Sequence, residues 1–258
     1  KLHRDADFIL NTTPVGMFPK NEGKIIDISA FPKLTGVIDV VYNPLRTNLV
    51  LDAMERGLKT EAGLYMLVSQ AVYASEFFMD TTYDDSVCEN VFKDIFKEKE
   101  NIVLIGMPSS GKTTVGKRLA EITGKEFIDT DDEIVKRIGM DIPSYFREFG
   151  EAEFRKVEGE VIAEVSKKNG MIISTGGGAV LNCANVRNLR QNGRLYFLNR
   201  SLELLTPTKS RPLSSDIEAL KRRFDERYET YLSSADVEIE ANGTVNEVAD
   251  EILDFKWP

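Results

Sequence analysis

Residues 102–114 read Ile-Val-Leu-Ile-Gly-Met-Pro-Ser-Ser-Gly-Lys-Thr-Thr, an apolar run that opens into a loop of small residues. Ile102–Ile105 predicts a buried strand, because four apolar, β-prone residues meet a loop signal at once. Thr113–Ile122 predicts a helix. Between the two, Gly106-x4-Gly111-Lys112-Thr113 has the spacing of a phosphate-binding loop, in the strand–loop–helix setting which that motif needs. Backbone N–H groups at Ser109, Ser110, Gly111 and Thr114, at the N-terminus of the helix, can surround a nucleotide's phosphates. Lys112 reaches the β- and γ-phosphates, and the Thr113 hydroxyl is a ligand for Mg²⁺.

Outward from the loop, residues 101–258 alternate strand and helix. Further strands are predicted at Glu126–Ile128, Met171–Ser174, Leu195–Leu198 and Val237–Ile239, with helices between them long enough for crossovers. The pattern predicts an α/β fold, a mostly parallel sheet with helices on both faces. Many ATPases keep a metal-positioning Asp at the end of an apolar strand, but Met171–Ser174 runs into Thr175 and the triple glycine Gly176–Gly178. The acids follow Phe127-Ile128 instead, as Asp129-Thr130-Asp131-Asp132. On an extended end, alternation turns Asp129 and Asp131 towards the mouth of the sheet. One can hold the Mg²⁺ water shell while the other orients an acceptor hydroxyl. The plainer alternative is an N-cap cluster for a helix beginning near Asp132.

A small anionic acceptor needs cations. Arg155 has Glu158 three residues on, where it can hold the guanidinium, although an isolated helical Arg is commonly one half of a surface ion pair. Gly176–Gly178 lets backbone approach a ligand with no Cβ in the way. Arg211-Pro212-Leu213 lies in the polar stretch Thr206–Asp216, which has the composition of a lid closing over phosphate, and Arg227 lies on the next helix.

Bulk composition narrows the partners. With 258 residues, 42% hydrophobic and 29% charged, the chain has the apolar content for one large or two modest cores. A net charge of −9 argues against a non-specific grip on nucleic acid or anionic membrane, so any polyanion must meet a local cluster of Arg and Lys. No apolar run reaches the ~18 residues of a membrane span, and Lys1–Leu10 has no signal-peptide core. The first residue is not Met, which reads as a fragment. Cys88 and Cys183 stand apart and read as two reduced thiols, so a cytoplasmic setting is expected. His3 is the single histidine, which leaves acid–base chemistry to a carboxylate.

Taken together, GMPSSGKTT, FIDTDDEI, FREFGEAEFRKVE, STGGGAV, RPL and ERYETY, in this order, make residues 101–258 resemble shikimate kinase over their whole length. The resemblance implies ATP-dependent phosphorylation of the shikimate 3-hydroxyl, in aromatic amino-acid biosynthesis. It implies that Asp131 binds the shikimate hydroxyls and helps activate the nucleophile, and that Asp129 acts near Mg²⁺. It further implies that Arg155, Arg227 and the glycines Gly176, Gly177 and Gly178 hold the substrate, and that Arg211 is the lid arginine on the transferring phosphoryl group. Two positions depart from the family: Ser109 stands for a common loop glycine, and Leu204 stands where an adenine-side arginine is usual. A kinase for another sugar acid such as gluconate accounts for the loop and Asp131 but not for both arginines, and a non-catalytic nucleotide-binding module is the third reading.

Residues 1–80 read as strand (Ala6–Leu10), strand (Gly36–Tyr42) and then two helices, the first around Leu49–Met54 and closed by Gly57, the second around Leu64–Phe78. Asn11–Pro19, Gly36–Thr47 and Gly63–Phe78 resemble the carboxy-terminal part of shikimate dehydrogenase. By that resemblance Tyr42 and Gln70 would lie at a shikimate site, and Val40 and Gly63 near a nicotinamide cofactor. No Gly-x-Gly-x-x-Gly follows a strand, so NADP binding and dehydrogenase activity are not expected. Residues 81–100 turn acidic and predict a linker helix with Val87, Val91, Phe92, Ile95 and Phe96 on one face. The expected organisation is thus a dehydrogenase-like remnant (1–80), a linker helix (81–100) and a kinase-like domain (101–258), the end of a bifunctional fusion whose amino-terminal half is missing.

Overall fold

A computed structural model describes residues 3–84, 86–205 and 217–255, the side chains of 217–220 excepted. The stretch 206–216, with Arg211 and the lid assigned to it, lies outside the described residues. The chain divides into two units, residues 1–100 with 190–192, and residues 101–189 with 193–258.

The first unit runs β1 (Phe8–Asn11), β2 (Gly36–Asp39), α1 (Asn48–Glu55), β3 (Lys59–Ala62), α2 (Gly63–Met79) and α3 (Ser86–Lys99). Its three strands are parallel in the order β1-β2-β3, with Leu10 opposite Ile38 and Asp39 opposite Ala62. Val37, Leu49 and Ala53 close a small core with Ile28, Phe31 and Leu34. Asp39 is fully buried. Its side-chain oxygens accept from Asn11 Nδ2 (3.0 Å), the Val41 N–H (3.0 Å) and Thr47 Oγ1 (2.6 Å), which satisfy a polar group buried in the sheet.

β3 corrects the reading of two strands followed by two helices. Lys-Thr-Glu-Ala carries no apolar alternation and none of its residues is buried, so the strand exists by backbone pairing with β2 and leaves no hydrophobic signature. α2 then starts at Gly63, where a Cβ would stand 2.0 Å from the Val40 carbonyl oxygen. α3 has no buried residue and meets α2 through contacts such as the edge of Tyr65 on Phe92, at 5.4 Å between ring centroids.

The second unit contains β4 (Asn101–Ile105), α4 (Lys112–Thr123), β5 (Glu126–Asp129), α5 (Thr130–Ile138), α6 (Ile142–Val165), β6 (Met171–Ser174), α7 (Cys183–Asn192) up to Leu189, β7 (Gly193–Asn199), α8 (Ile217–Ser234), β8 (Val237–Glu240) and α9 (Val245–Asp254). All five predicted strands are present, in one parallel sheet of order β5-β6-β4-β7-β8. Their side chains divide by alternation. Val103, Ile105, Ile173, Leu195 and Phe197 face one core with Ile134, Phe154, Ile162 and Tyr231. Leu104, Ile172, Tyr196, Leu198 and Ile239 face the other, with Val115 and Leu119 of α4 and Val248 and Ile252 of α9. Burial on both faces explains why these strands read as unbroken apolar runs. Asn101, fully buried at the start of β4, ties the sheet's lower edge: its Nδ2 donates to Lys168 O (2.7 Å) and its Oδ1 accepts from the Met171 N–H (2.8 Å). The phosphate loop, Asp129–Asp131 and Gly176–Gly178 directly follow β4, β5 and β6, at the carboxyl ends of the strands, where open parallel sheets bind ligands.

Candidate active site

The loop after β4 passes through three left-handed or mirror-extended residues, Gly106 (φ 144°), Ser109 (φ 66°) and Gly111 (φ 95°). Ser109 adopts the backbone that a glycine would take there, a conformation costing an L-residue about 1–2 kcal/mol. Gly111 is the N-cap of α4 and supplies no side chain to its first turn, so the helix N-terminus is left to an anion. Ser110 and Lys112 are buried, while Thr114 is exposed. The Lys112 ammonium lies on the loop itself, donating to the carbonyls of Gly106 (2.9 Å) and Met107 (2.7 Å).

Asp129, at the end of β5, does two things. Its Oδ2 accepts from Thr113 Oγ1 at 2.8 Å, and its Oδ1 caps α5 by accepting the Asp131 N–H at 3.0 Å. The helix therefore starts at Thr130 rather than near Asp132, and the alternation argument for the two acids fails. Asp131 sits in the first helical turn and is carried away from Thr113. A Cβ on Gly176 would stand 2.6 Å from Asp131 Oδ1. The Thr113–Asp129 pair of hard oxygens suits Mg²⁺, which takes one or two protein oxygens and completes its shell with water and phosphate.

Asp131 instead lines a cavity of about 500 Å³ with Arg155, Glu158, Gly176–Gly178, Arg223 and Arg227. Arg155 makes one exposed pair, with Glu151, and one with the buried Glu158. Its Nη1 donates to Glu158 Oε2 at 2.7 Å and its Nη2 to Glu151 Oε1 at 3.0 Å, and the Glu158 side chain is only 2% exposed. Gly150 (φ 80°) breaks α6 immediately before this segment. Across the cavity, the Gly177 carbonyl accepts from Arg227 Nη1 (3.1 Å) and from the Tyr231 hydroxyl. A Cβ on Gly178 would stand 2.4 Å from Arg155 Nη1, so the glycine turn is what lets the guanidinium lie flat against backbone.

The electrostatics follow from burial. Burial pushes the Glu158 carboxyl above its ordinary value, against the pull of Arg155. Burial also works against the Arg155 charge, but Glu158 and Glu151 outweigh it and hold the guanidinium firmly cationic. Burial, and then the repulsion of Arg227, lower Arg223. Sequence reading missed Arg223 and Tyr231. The signal was present, since residues 223, 227 and 231 recur every four positions and so share one face of α8.

The shikimate kinase family model matches residues 108–256. The chain belongs to the shikimate kinase family. It is a kinase, an enzyme of phosphoryl transfer. The shikimate kinase of Thermodesulfovibrio yellowstonii is 39% identical over 162 residues, which cover 60% of this chain and 93% of the relative. A solved shikimate kinase from Acinetobacter baumannii, in complex with shikimate, is 35% identical and aligns with a TM-score of 0.59 over 62% of this chain and 94% of its own. On the amino-terminal part, a chorismate mutase/shikimate 5-dehydrogenase fusion protein from Clostridium acetobutylicum aligns at 37% identity over 34% of this chain and 33% of its own, with a TM-score of 0.33.

In the first unit, Gly63 packs on Val40 as described. Tyr42 is 45% exposed beyond β2, and Gln70 lines a groove between α2 and α3. Leu204 is exposed in a single 3-10 turn, Leu202–Leu204. Cys88 and Cys183 form no disulfide. No helix among the described residues is long and apolar enough to cross a membrane.

Proposed function

We propose that this chain transfers the γ-phosphoryl group of ATP to the 3-hydroxyl of shikimate, giving shikimate 3-phosphate and ADP within aromatic amino-acid biosynthesis. The observation that carries the reading is the cavity beside the phosphate loop, in which a carboxylate, Asp131, meets Arg155 and Arg227 over a glycine turn. That is a receptor for a small hydroxylated carboxylate. Arg155 and Arg227 hold the carboxylate, while Gly176–Gly178 offer backbone to the ring. Asp131 orients the hydroxyl and takes its proton as the oxygen–phosphorus bond forms and the bond from the γ-phosphorus to ADP breaks. Ser109, Ser110, Gly111 and Thr114 hold the phosphates by backbone, and Lys112 exchanges its loop carbonyls for them. When bound at Thr113 and Asp129, Mg²⁺ neutralises charge on the phosphates. Arg211 is assigned to the transferring phosphoryl group from its motif alone.

Residues 1–80 are proposed to be the carboxy-terminal part of a dehydrogenase-like domain that is inactive alone, joined through 81–100 to the kinase-like residues 101–258. The support is the three sequence stretches together with the parallel β1-β2-β3 sheet. The test is ADP release, coupled to a spectroscopic readout, with shikimate and with gluconate. Shikimate is expected to drive turnover and gluconate to leave the ATP-only rate unchanged. In the same assay Asp131→Asn is expected to lose about 10²–10⁴-fold in kcat while ATP still binds. No ADP above the ATP-only rate with shikimate overturns the proposal.

A further inference from the structure

Arg200 is a cation that the reaction as proposed leaves unused. It directly follows β7, at the carboxyl end of the strand beside β4. Its Nη1 donates to the Ala241 carbonyl just past β8 at 3.2 Å. The same nitrogen lies 3.9 Å from where a Cβ on Gly111 would stand, against the residue at which the phosphate loop becomes α4. Neighbouring bonds fix this corner: the Ser201 N–H donates to Asn242 Oδ1 at 2.9 Å, and the Ala241 N–H to Asn199 O at 2.8 Å. Arg200 Nε is buried and has no hydrogen-bond partner among the described residues. A bare buried donor costs about 1–3 kcal/mol, so a held guanidinium with one idle N–H is built for an acceptor that arrives from outside.

Strand order says which acceptor. The cavity with Asp131 and Gly176–Gly178 lies at the β5–β6 side of β4, whereas Arg200 and Ala241 lie at the β7–β8 side. In-line transfer places the acceptor beyond the γ-phosphate and the nucleoside at the opposite end. With the phosphates in loop 106–111, the nucleoside end must leave towards Arg200.

We infer that Arg200 is a nucleotide-binding residue, donating to the α-phosphate or to the purine base of ATP and ADP without touching the acceptor. The inference rests on the phosphate loop holding the nucleotide and not on the identity of the acceptor. The test uses the full chain with Arg200→Ala, Arg200→Gln and Arg200→Lys, titrated calorimetrically with ADP, GDP, CDP and inorganic pyrophosphate. Steady-state KM values for ATP and shikimate and thermal melts accompany the titrations.

Arg200→Ala is expected to weaken ADP and raise the KM for ATP by about tenfold or more, with Arg200→Lys recovering part of the loss. Pyrophosphate affinity and the KM for shikimate stay within about twofold of wild type. Equal losses for ADP, GDP and CDP name the α-phosphate as partner, and a loss for ADP, alone or with GDP, that spares CDP names the purine base. ADP affinity unchanged in all three variants overturns the inference. So does a joint loss of ADP, pyrophosphate and shikimate binding with a lowered melting temperature, which would make Arg200 a structural clamp. If Arg200→Ala fails to fold, the Gln and Lys variants decide. ADP binding needs no acceptor, so failure of shikimate turnover leaves this test intact.

Discussion

Glu158 carries the charge balance of the candidate site. It lies at 2% side-chain exposure between Arg155, which it binds at 2.7 Å, and the carboxylate of Asp131, with Arg227 also within its field. Burial raises its carboxyl, Arg155 lowers it, and the net direction is up from the ordinary 4.5. With the folded value above the unfolded one, the protonated form is the one that folding favours. The associated stability is present in full below about pH 4.5 and is lost as pH rises through the raised folded value. Glu158→Gln removes this titration. Urea unfolding of the wild type and the variant from pH 4 to 8 is therefore expected to show the wild type losing ground to the variant as pH rises. A difference independent of pH would show that burial does not dominate at this carboxyl. Ser109 marks the limit of reading single residues: its letter suggests a lost glycine, and only its φ of 66° shows the glycine conformation retained.

At the scale of elements, the site is two helices and a turn held at fixed spacing. α8 sends Arg227 and Tyr231 to one carbonyl, Gly177, while α6 lays Arg155 against Gly178. Gly178 has φ −105°, open to any residue, so its need for glycine is one of space. Gly178→Ala places a Cβ 2.4 Å from Arg155 Nη1 and displaces the flexible guanidinium with little backbone strain. It is expected to raise the KM for shikimate by about tenfold, with kcat within about threefold of wild type, and to lower the melting temperature, because the displaced guanidinium weakens its bond to the buried Glu158. An unaltered KM would remove Arg155 from the acceptor site. Helix starts were the least legible feature here. FIDTDDEI offers three acids for one cap, and only the bond from the Asp131 N–H to Asp129 Oδ1 selects Asp129, which swings Asp131 towards Gly176.

At the scale of the molecule there are two cores, one around Val37 and Leu49 and the other spread over both faces of the five-stranded sheet. Each unit has its own sheet and its own buried set, which favours separate unfolding. Differential scanning calorimetry is expected to resolve two transitions. ADP at about 100 times its dissociation constant should raise only the transition of the unit with the phosphate loop, by about 5–10 °C. A single transition moving as a whole with ADP would show that the two units unfold together.

The sequence alone determined the sheet strands of the second unit and the phosphate loop. Strands buried on both faces must be continuously apolar, and a loop that cradles phosphate by backbone must be small and glycine-bounded, so both leave a local signature. It also showed the residues of the family's motifs, Asp131, Arg155, Gly176–Gly178 and Arg227. β3, polar and held by backbone pairing, left no such mark. Tertiary structure alone decided that Asp129 turns to Thr113 while Asp131 turns to the cavity, that Arg223 and Tyr231 join that wall, and that Arg200 stands at Gly111 with an idle Nε. Those facts depend on which strands lie side by side in β5-β6-β4-β7-β8, an order set by long-range pairing that no window of residues contains.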